Sequence, residues 1–497
     1  MRKLRFATLS LVLVSACSFS DGDSSYRAAE RGNSPGGKVA PGTSVPVPDA
    51  PTDPASGFIA TKDHPISTFA SDVDTGSYTY ARALLANSAP IPSAVVRAEE
   101  WLNYFDYGDA PPADASPLAI HLEGAPSPFG ANLSLLRVAL KAKVVSEAER
   151  APVNLVFLVD VSGSMGSEDK LPLVKYALEQ LVEKLRPTDT LGIVTYAGGA
   201  GTLLSPTPVT DKANILSKIA SLGAAGGTNG QAGIQQAYAL AEAARIPGTE
   251  SRVVLCTDGD LNIGATGEEL FKLIDEKRAT GITLATLGFG VDGYNDNTLE
   301  QLADRGNGVY SFVDSQKEAD HVVGDRLVST IQLVAKDTKI QVVFDPNVIR
   351  LYRLIGYENR ALENEDFTDD AKDAGDIGAG HTMVALYEVE YETGASLTAD
   401  LATVKVRYKL PTGDASLELS QPFSAASVVS NFSQASEALR FGAAVTELAE
   451  IMGHSQFTEG AKFSDVTNIA NNANAGAVPE RSEFIGLISA AQKLYEP

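Results

Sequence analysis

The chain reads as an α/β protein: a doubly wound, mostly parallel sheet inserted in a β-rich accessory domain, with a C-terminal helical segment. Three features of its 497 residues predict this. Between residues 151 and 325, short apolar runs alternate with amphipathic stripes, the rhythm of strands joined by crossover helices. On either side, at 117–148 and 326–430, apolar and polar residues alternate with period two and no helical pattern intervenes. From residue 433 the apolar positions fall three and four apart.

Composition bounds the class. At 44% hydrophobic and 21% charged the chain is globular, and its length exceeds one domain. A formal charge of −23 argues against nucleic acid and anionic membrane surfaces as partners, and favours cations.

Taken in order, residues 1–16 have a basic start (Arg2, Lys3, Arg5) and an apolar run from Phe6 to Val14, too short to span a bilayer. Val14-Ser15-Ala16-Cys17 resembles a bacterial lipobox. That resemblance implies cleavage before Cys17, lipidation of its thiol (palmitate among the acyl chains) and anchorage in the cell envelope. Cleavage would take the formal charge from −23 to −26. Ser18 stands where an inner-membrane retention signal has Asp, so an outer membrane is expected if the source is Gram-negative. Residues 17–57, rich in Ser, Gly, Pro, Asp and Ala, read as a disordered tether. Cys256, inside an apolar run, reads as a small core residue, so no intramolecular disulfide is expected.

Residues 58–112 predict a short extended piece, a helix from about Thr75, and a second helix from Val95 to Tyr104. Asp74-Thr75-Gly76-Ser77 matches half of an aspartic-protease signature, but no second such motif exists to share a proton with it. Asp and Thr read here as helix caps. Residues 113–150 supply strands that lack covering helices and need partners from elsewhere. The strands of 326–430 are proposed to complete their sheet system, with 151–325 inserted between. The acidic piece Glu363 to Asp376 lacks calcium-loop spacing and reads as a solvated loop. Residues 431–497 read as helical, with one stripe at Ala438, Phe441, Val445, Leu448 and Ile451, and a last helix carrying Ile485, Leu487 and Ala491.

The chemistry is concentrated in the central unit. The apolar run Val153 to Val159 ends in Asp160, and Ser162 and Ser164 follow at every second position. A helix comes next, with Leu171, Val174, Leu178, Leu181 and Leu185 on one face. One carboxylate and two hydroxyls thus fall at the carboxyl end of a buried strand, where open α/β sheets bind ligands. Oxygen-only donors suit a hard divalent cation, Mg2+ first with Mn2+ or Ca2+ as alternatives. Thr228, 68 residues after Asp160, opens another helix, and Asp258, 98 residues after it, ends another buried strand.

Together, Asp160, Ser162, Ser164, Thr228 and Asp258 resemble the metal-ion-dependent adhesion site (MIDAS) of von Willebrand factor type A (VWA) domains. The run FASDVDTGSY with RAEEWLNYFDY, and the blocks SVVSNFSQASEALRFGAAVTELAEIM and ERSEFIGLISAAQKL, resemble the flanking segments of a bacterial family of VWA lipoproteins. The resemblance implies direct metal bonds from Ser162, Ser164 and sometimes Thr228, and water-mediated ones from Asp160 and Asp258. It also implies a partner protein that supplies an acidic side chain to the metal. A metal-dependent hydrolase or phosphatase using Asp160 is the alternative chemistry. The five scattered histidines and the lack of HExxH, GxSxG or P-loop motifs speak against an enzyme. A structural envelope scaffold with a vestigial metal site is the third reading.

Overall fold

The computed structural model describes residues 57–146, 148–261, 268–326, 331–395 and 398–496. Cys17, the signal stretch and all of the tether before residue 57 lie outside the described residues. The N-terminal part contains β1 (Ile59–Ala60), β2 (Ile66–Ala70), α1 (Gly76–Ala86), α2 (Ala98–Tyr104), β3 (Leu118–Pro126) and β4 (Leu133–Ala142). The central unit follows with β5 (Val153–Asp160), α3 (Leu171–Lys184), β6 (Thr190–Tyr196), β7 (Ala200–Pro208), α4 (Lys212–Ala220), α5 (Gly230–Ala243), β8 (Glu250–Thr257), α6 (Glu268–Arg278), β9 (Ile282–Phe289), α7 (Asp296–Arg305), β10 (Tyr310–Val313) and α8 (Gln316–Asp320). Then come β11 (Leu333–Phe344), β12 (Ile349–Ile355), β13 (Gly375–Gly378), β14 (Thr382–Tyr391), β15 (Asp400–Lys409), β16 (Ser416–Ser424), α9 (Glu437–Met452), α10 (Phe463–Asn472) and α11 (Pro479–Tyr495).

The central sheet runs β10-β9-β8-β5-β6-β7. All neighbours are parallel except β7, which pairs antiparallel at the edge. Every residue of β5 is buried, because helices cover both faces: Leu178 and Leu181 of α3 on one side, Ile234 and Tyr238 of α5 on the other. The order reverses at β5. The chain leaves β5 for β6 on one side, and β8 later returns on the other, which opens a crevice at the carboxyl ends.

The flanks form two packed antiparallel sheets. One runs β1-β12-β14-β4-β3, so β4, from before the central unit, pairs along its length with β14, from after it. The other is built on β11, which pairs with β2, β13 and β15, and β16 extends it. Leu136, Val138 and Leu140 of β4 face the interior shared with Val342, Phe344 and Tyr387. The opposite face of β4, with Leu135 and Ala139, meets α9, whose residues are buried nearly all round. Alternation in β4 therefore reflects two different cores, and the strand has no solvent face.

Several local expectations are corrected. Residues 95–104 do not form one helix: a 3-10 turn ends at Val95 and α2 starts only at Ala98. Thr75 sits at the N-cap of α1 but its side chain makes no capping bond. Asp74 instead accepts a hydrogen bond from the Tyr310 amide at 2.7 Å. The acidic piece is not simply a solvated loop: Asp376 is half-buried in β13 and accepts from the Asp337 amide at 3.1 Å. In α11 the buried stripe is Phe484, Ile488 and Ala491, with Ile485 and Leu487 half-buried. At α8, Ser315 caps the Glu318 amide at 3.1 Å, and the Glu318 carboxylate points away from that cap. It binds Arg82 at 2.8 Å and the Tyr104 hydroxyl at 2.9 Å.

Candidate metal centre

Asp160 ends β5, fully buried. Its Oδ1 accepts the Ser162 amide at 2.8 Å, a two-residue turn that aspartate favours. Its Oδ2 accepts hydroxyls from Tyr196 and Thr257, each at 3.0 Å. These are residues at the carboxyl ends of the strands on either side, so the carboxylate is held from three directions. Burial raises the Asp160 carboxyl above its ordinary range, and those hydrogen bonds pull it back down. Burial also pushes the Tyr196 hydroxyl well above its usual range, with Asp160 beside it adding to the effect, so it stays a donor.

Ser162 is buried and Ser164 is exposed, and their Oγ atoms lie 3.0 Å apart. Two neighbouring ligands of an octahedral Mg2+ with bonds of about 2.0–2.1 Å lie ~2.9 Å apart. The serine hydroxyls are hydrogen-bonded to each other, and their separation also fits two neighbouring ligands of a small hard cation. Thr228 is half-buried at the end of a loop that docks on the serine turn. The Gly163 amide donates to the Gly226 carbonyl at 3.0 Å, and the Ala225 amide donates to the Val161 carbonyl at 2.8 Å. Gly226 has φ +91°, a left-handed conformation that glycine adopts without strain. Asn229 then caps α5 through the Ala232 amide, at 3.3 Å.

Asp258 is buried and follows Thr257, the residue at the end of β8 whose hydroxyl reaches Asp160. Among the described residues no hydrogen bond joins Asp258 or Thr228 to Asp160, Ser162 or Ser164. Hydrogen bonds thus join Asp160, Ser162 and Ser164 directly, while Thr228 follows the loop whose Gly226 bonds to Gly163 and Asp258 follows Thr257, which bonds to Asp160. Asp258 has another partner: Lys170 Nζ donates to its Oδ2 at 2.9 Å. The donor chemistry and the serine spacing fit a divalent ion. Among the described residues no group of three or more His, Cys, Asp or Glu could hold a metal, so the hydroxyls are indispensable to such a site.

Sequence reasoning missed Tyr196, Thr257 and Lys170. The first two carry a faint signal, since each ends a strand flanking β5. Lys170 carries none, because a lysine before a helix reads as solvated.

Three family models match the chain in succession. Residues 52–137 match a von Willebrand factor family, residues 154–324 match the von Willebrand factor type A domain, and residues 329–494 match the C-terminal family of the uncharacterized protein YfbK. The uncharacterized protein YfbK of Escherichia coli is 37% identical over 455 residues, covering 86% of this chain and 78% of that protein. Inter-alpha-trypsin inhibitor heavy chain H3 of Mesocricetus auratus is 28% identical over 180 residues, 34% of this chain and 20% of its own. A solved von Willebrand factor type A structure from Catenulispora acidiphila covers 73% of this chain and 88% of its own at 16% identity and a TM-score of 0.45.

Proposed function

Because this chain belongs to the bacterial family of VWA proteins that includes YfbK of Escherichia coli, we propose that it is an envelope adhesion protein that binds a partner protein through a Mg2+-dependent site. VWA domains generally mediate protein interactions and often hold a divalent metal at this position. The observation that carries the proposal is the serine pair, 3.0 Å apart at the open end of β5. Ser162 and Ser164 would hold the ion directly, with Thr228 from the neighbouring loop, while Asp160 and Asp258 act through water. When bound, a divalent ion with few direct negative ligands supplies an electrophilic position for a carboxylate from outside.

The protein's own task is orientation. Asp160 accepts three hydrogen bonds and is buried, which suits a fixed acceptor and leaves it badly placed to attack a phosphoryl group. No bond needs to break for adhesion, and VWA relatives are generally non-enzymatic. Anchorage through a lipidated Cys17 would hold the site in the envelope, at the outer membrane of a Gram-negative source, with residues 17–57 as the tether.

The test is calorimetric titration with Mg2+. Asp160→Ala and Ser162→Ala should lose binding while their circular dichroism and melting stay those of a folded chain. Mg2+ binding by Asp160→Ala equal to that of the unaltered protein refutes the site. Labelled palmitate should enter the protein and not its Cys17→Ser variant.

A further inference from the structure

The centre contains a cation of its own. Lys170, just before α3, is 6% exposed although its side chain is long and charged. Its stem lies across Gly290, where a Cβ would fall 2.4 Å from Lys170 Cε and 2.6 Å from Cγ. Gly290 also has φ +75°, so its place in the groove depends doubly on being glycine. The ammonium donates to Asp258 Oδ2 at 2.9 Å and to the Asp292 carbonyl at 3.2 Å. A flexible side chain is therefore packed over Gly290, with its charge delivered to one of the two acids of the proposed centre. Helix capping does not explain this, since Lys170 makes no side-chain cap on α3.

Asp160 and Asp258 carry two negative charges, and Lys170 cancels one. A divalent ion then leaves the loaded centre with one positive charge unmatched. Without the lysine the same ion would be fully neutralised. Because Coulomb interactions strengthen away from water, that single charge weighs on both the ion and any incoming carboxylate. We propose that Lys170 sets the charge of this centre, weakening its hold on the divalent ion while keeping the loaded site attractive to a partner's acidic side chain. The inference rests on the metal-dependent reading above and extends it to a residue outside the adhesion motif. It also explains how Asp258 stays buried and ordered when no ion is bound, since an unmatched buried carboxylate is strongly unfavourable.

Mn2+ titration of full-length protein in detergent, read by electron paramagnetic resonance of the free ion, tests this. The variants are Lys170→Met, Lys170→Gln and Asp160→Ala. Lys170→Gln keeps a donor near Asp258 without the charge, and it decides the matter if Lys170→Met does not fold. Removing the charge should tighten Mn2+ binding about tenfold or more, whereas a lysine that only supports the fold would weaken binding when replaced. Acetate, added as a carboxylate probe, should displace metal-bound water from the original protein at lower concentration than from either variant. In EDTA the variants should melt below the original protein, and Mn2+ should raise their midpoints more than its own. Equal or weaker Mn2+ binding in the variants, with binding abolished in Asp160→Ala, overturns the role of Lys170 and leaves the metal centre standing. No Mn2+ binding by any form overturns both.

Discussion

Arg360→Met should release the N-terminal segment from the rest of the molecule. The Arg360 side chain is 14% exposed and lies 3.2 Å from Asp72, 3.1 Å from Asp74 and 2.5 Å from Asp304. The first two belong to the segment before α1, and the third lies in α7 of the VWA unit. Methionine keeps the apolar stem and removes the charge shared by two buried acids and the partly exposed Asp304. Breaking a buried ion pair by deleting one partner costs about 3–5 kcal/mol. The loss has a ceiling, because a stranded carboxyl can take a proton instead of staying charged. From an ordinary aspartate pKa, protonation costs about 4 kcal/mol at pH 7 and about 1.5 kcal/mol at pH 5.

Burial already pushes the carboxyls of Asp74 and Asp304 upward, and Arg360 is the group that pulls them down. In the variant their folded-state pKa values rise further above those of the unfolded chain. Its deficit should therefore be smallest below the ordinary aspartate range and grow as pH rises through the raised values. We expect a deficit of about 3–5 kcal/mol at pH 7.5 that falls to half or less at pH 5. Urea unfolding followed by Trp101 fluorescence is the assay. The only tryptophan lies in α2 of that segment, 1% exposed, with its indole N–H on Ser77 Oγ at 3.0 Å. A deficit under about 1 kcal/mol at pH 7.5, or one that does not shrink at pH 5, refutes the reasoning.

Other perturbations probe the same architecture. A Cβ on Gly76 would fall 2.0 Å from Tyr310 Cε1, and that ring is fully buried, with its hydroxyl bonded to Asp296 and Tyr294. Gly76→Ala should therefore destabilise by about 3 kcal/mol, the upper end for overpacking, and Tyr310→Leu in the same chain should recover part of the lost melting temperature. Glu447 in α9 is 6% exposed, and burial, with Glu450 and Glu388 nearby, pushes its carboxyl to about 8. A raised acid pKa favours folding below the unfolded value of about 4.5 and opposes it increasingly up to about 8. Glu447→Gln should thus melt higher than the original protein at pH 8.5 and lose that advantage by pH 5, in thermal scans at the two pH values.

What the sequence made legible follows one physical distinction. Periodicity reports where apolar side chains leave water, and it placed β5, α3 and the strand-helix rhythm because those elements bury continuous runs or single faces. It also showed that 117–148 lacked partners, and the β4–β14 pairing supplies them. It failed where burial is two-sided or short. Residues of β16 are too polar to read as a strand; they pair with β15, and Phe423 is the one fully buried among them. In α9 the stripe widens to nearly the whole circumference, since α2, α10 and Leu386 of β14 pack around it.

Polar partners escape periodicity altogether. Sequence order gives 63 acids and 40 bases without saying which meet. The Asp-Val-Asp-Thr-Gly-Ser run looked like a helix start because its local grammar is that of a cap. Its carboxylates are taken up instead by Arg360 and by the Tyr310 amide, 286 and 236 residues away. The Asp160, Ser162 and Ser164 cluster is legible for the opposite reason: its three side chains fall within five residues, and hydrogen bonds join them. Lys170 lies six residues beyond Ser164 and looks solvated, yet it crosses Gly290 to reach Asp258. The residue proposed to set the charge of the centre is thus one that the chain does not announce, and substitutions confined to the motif would never reveal it.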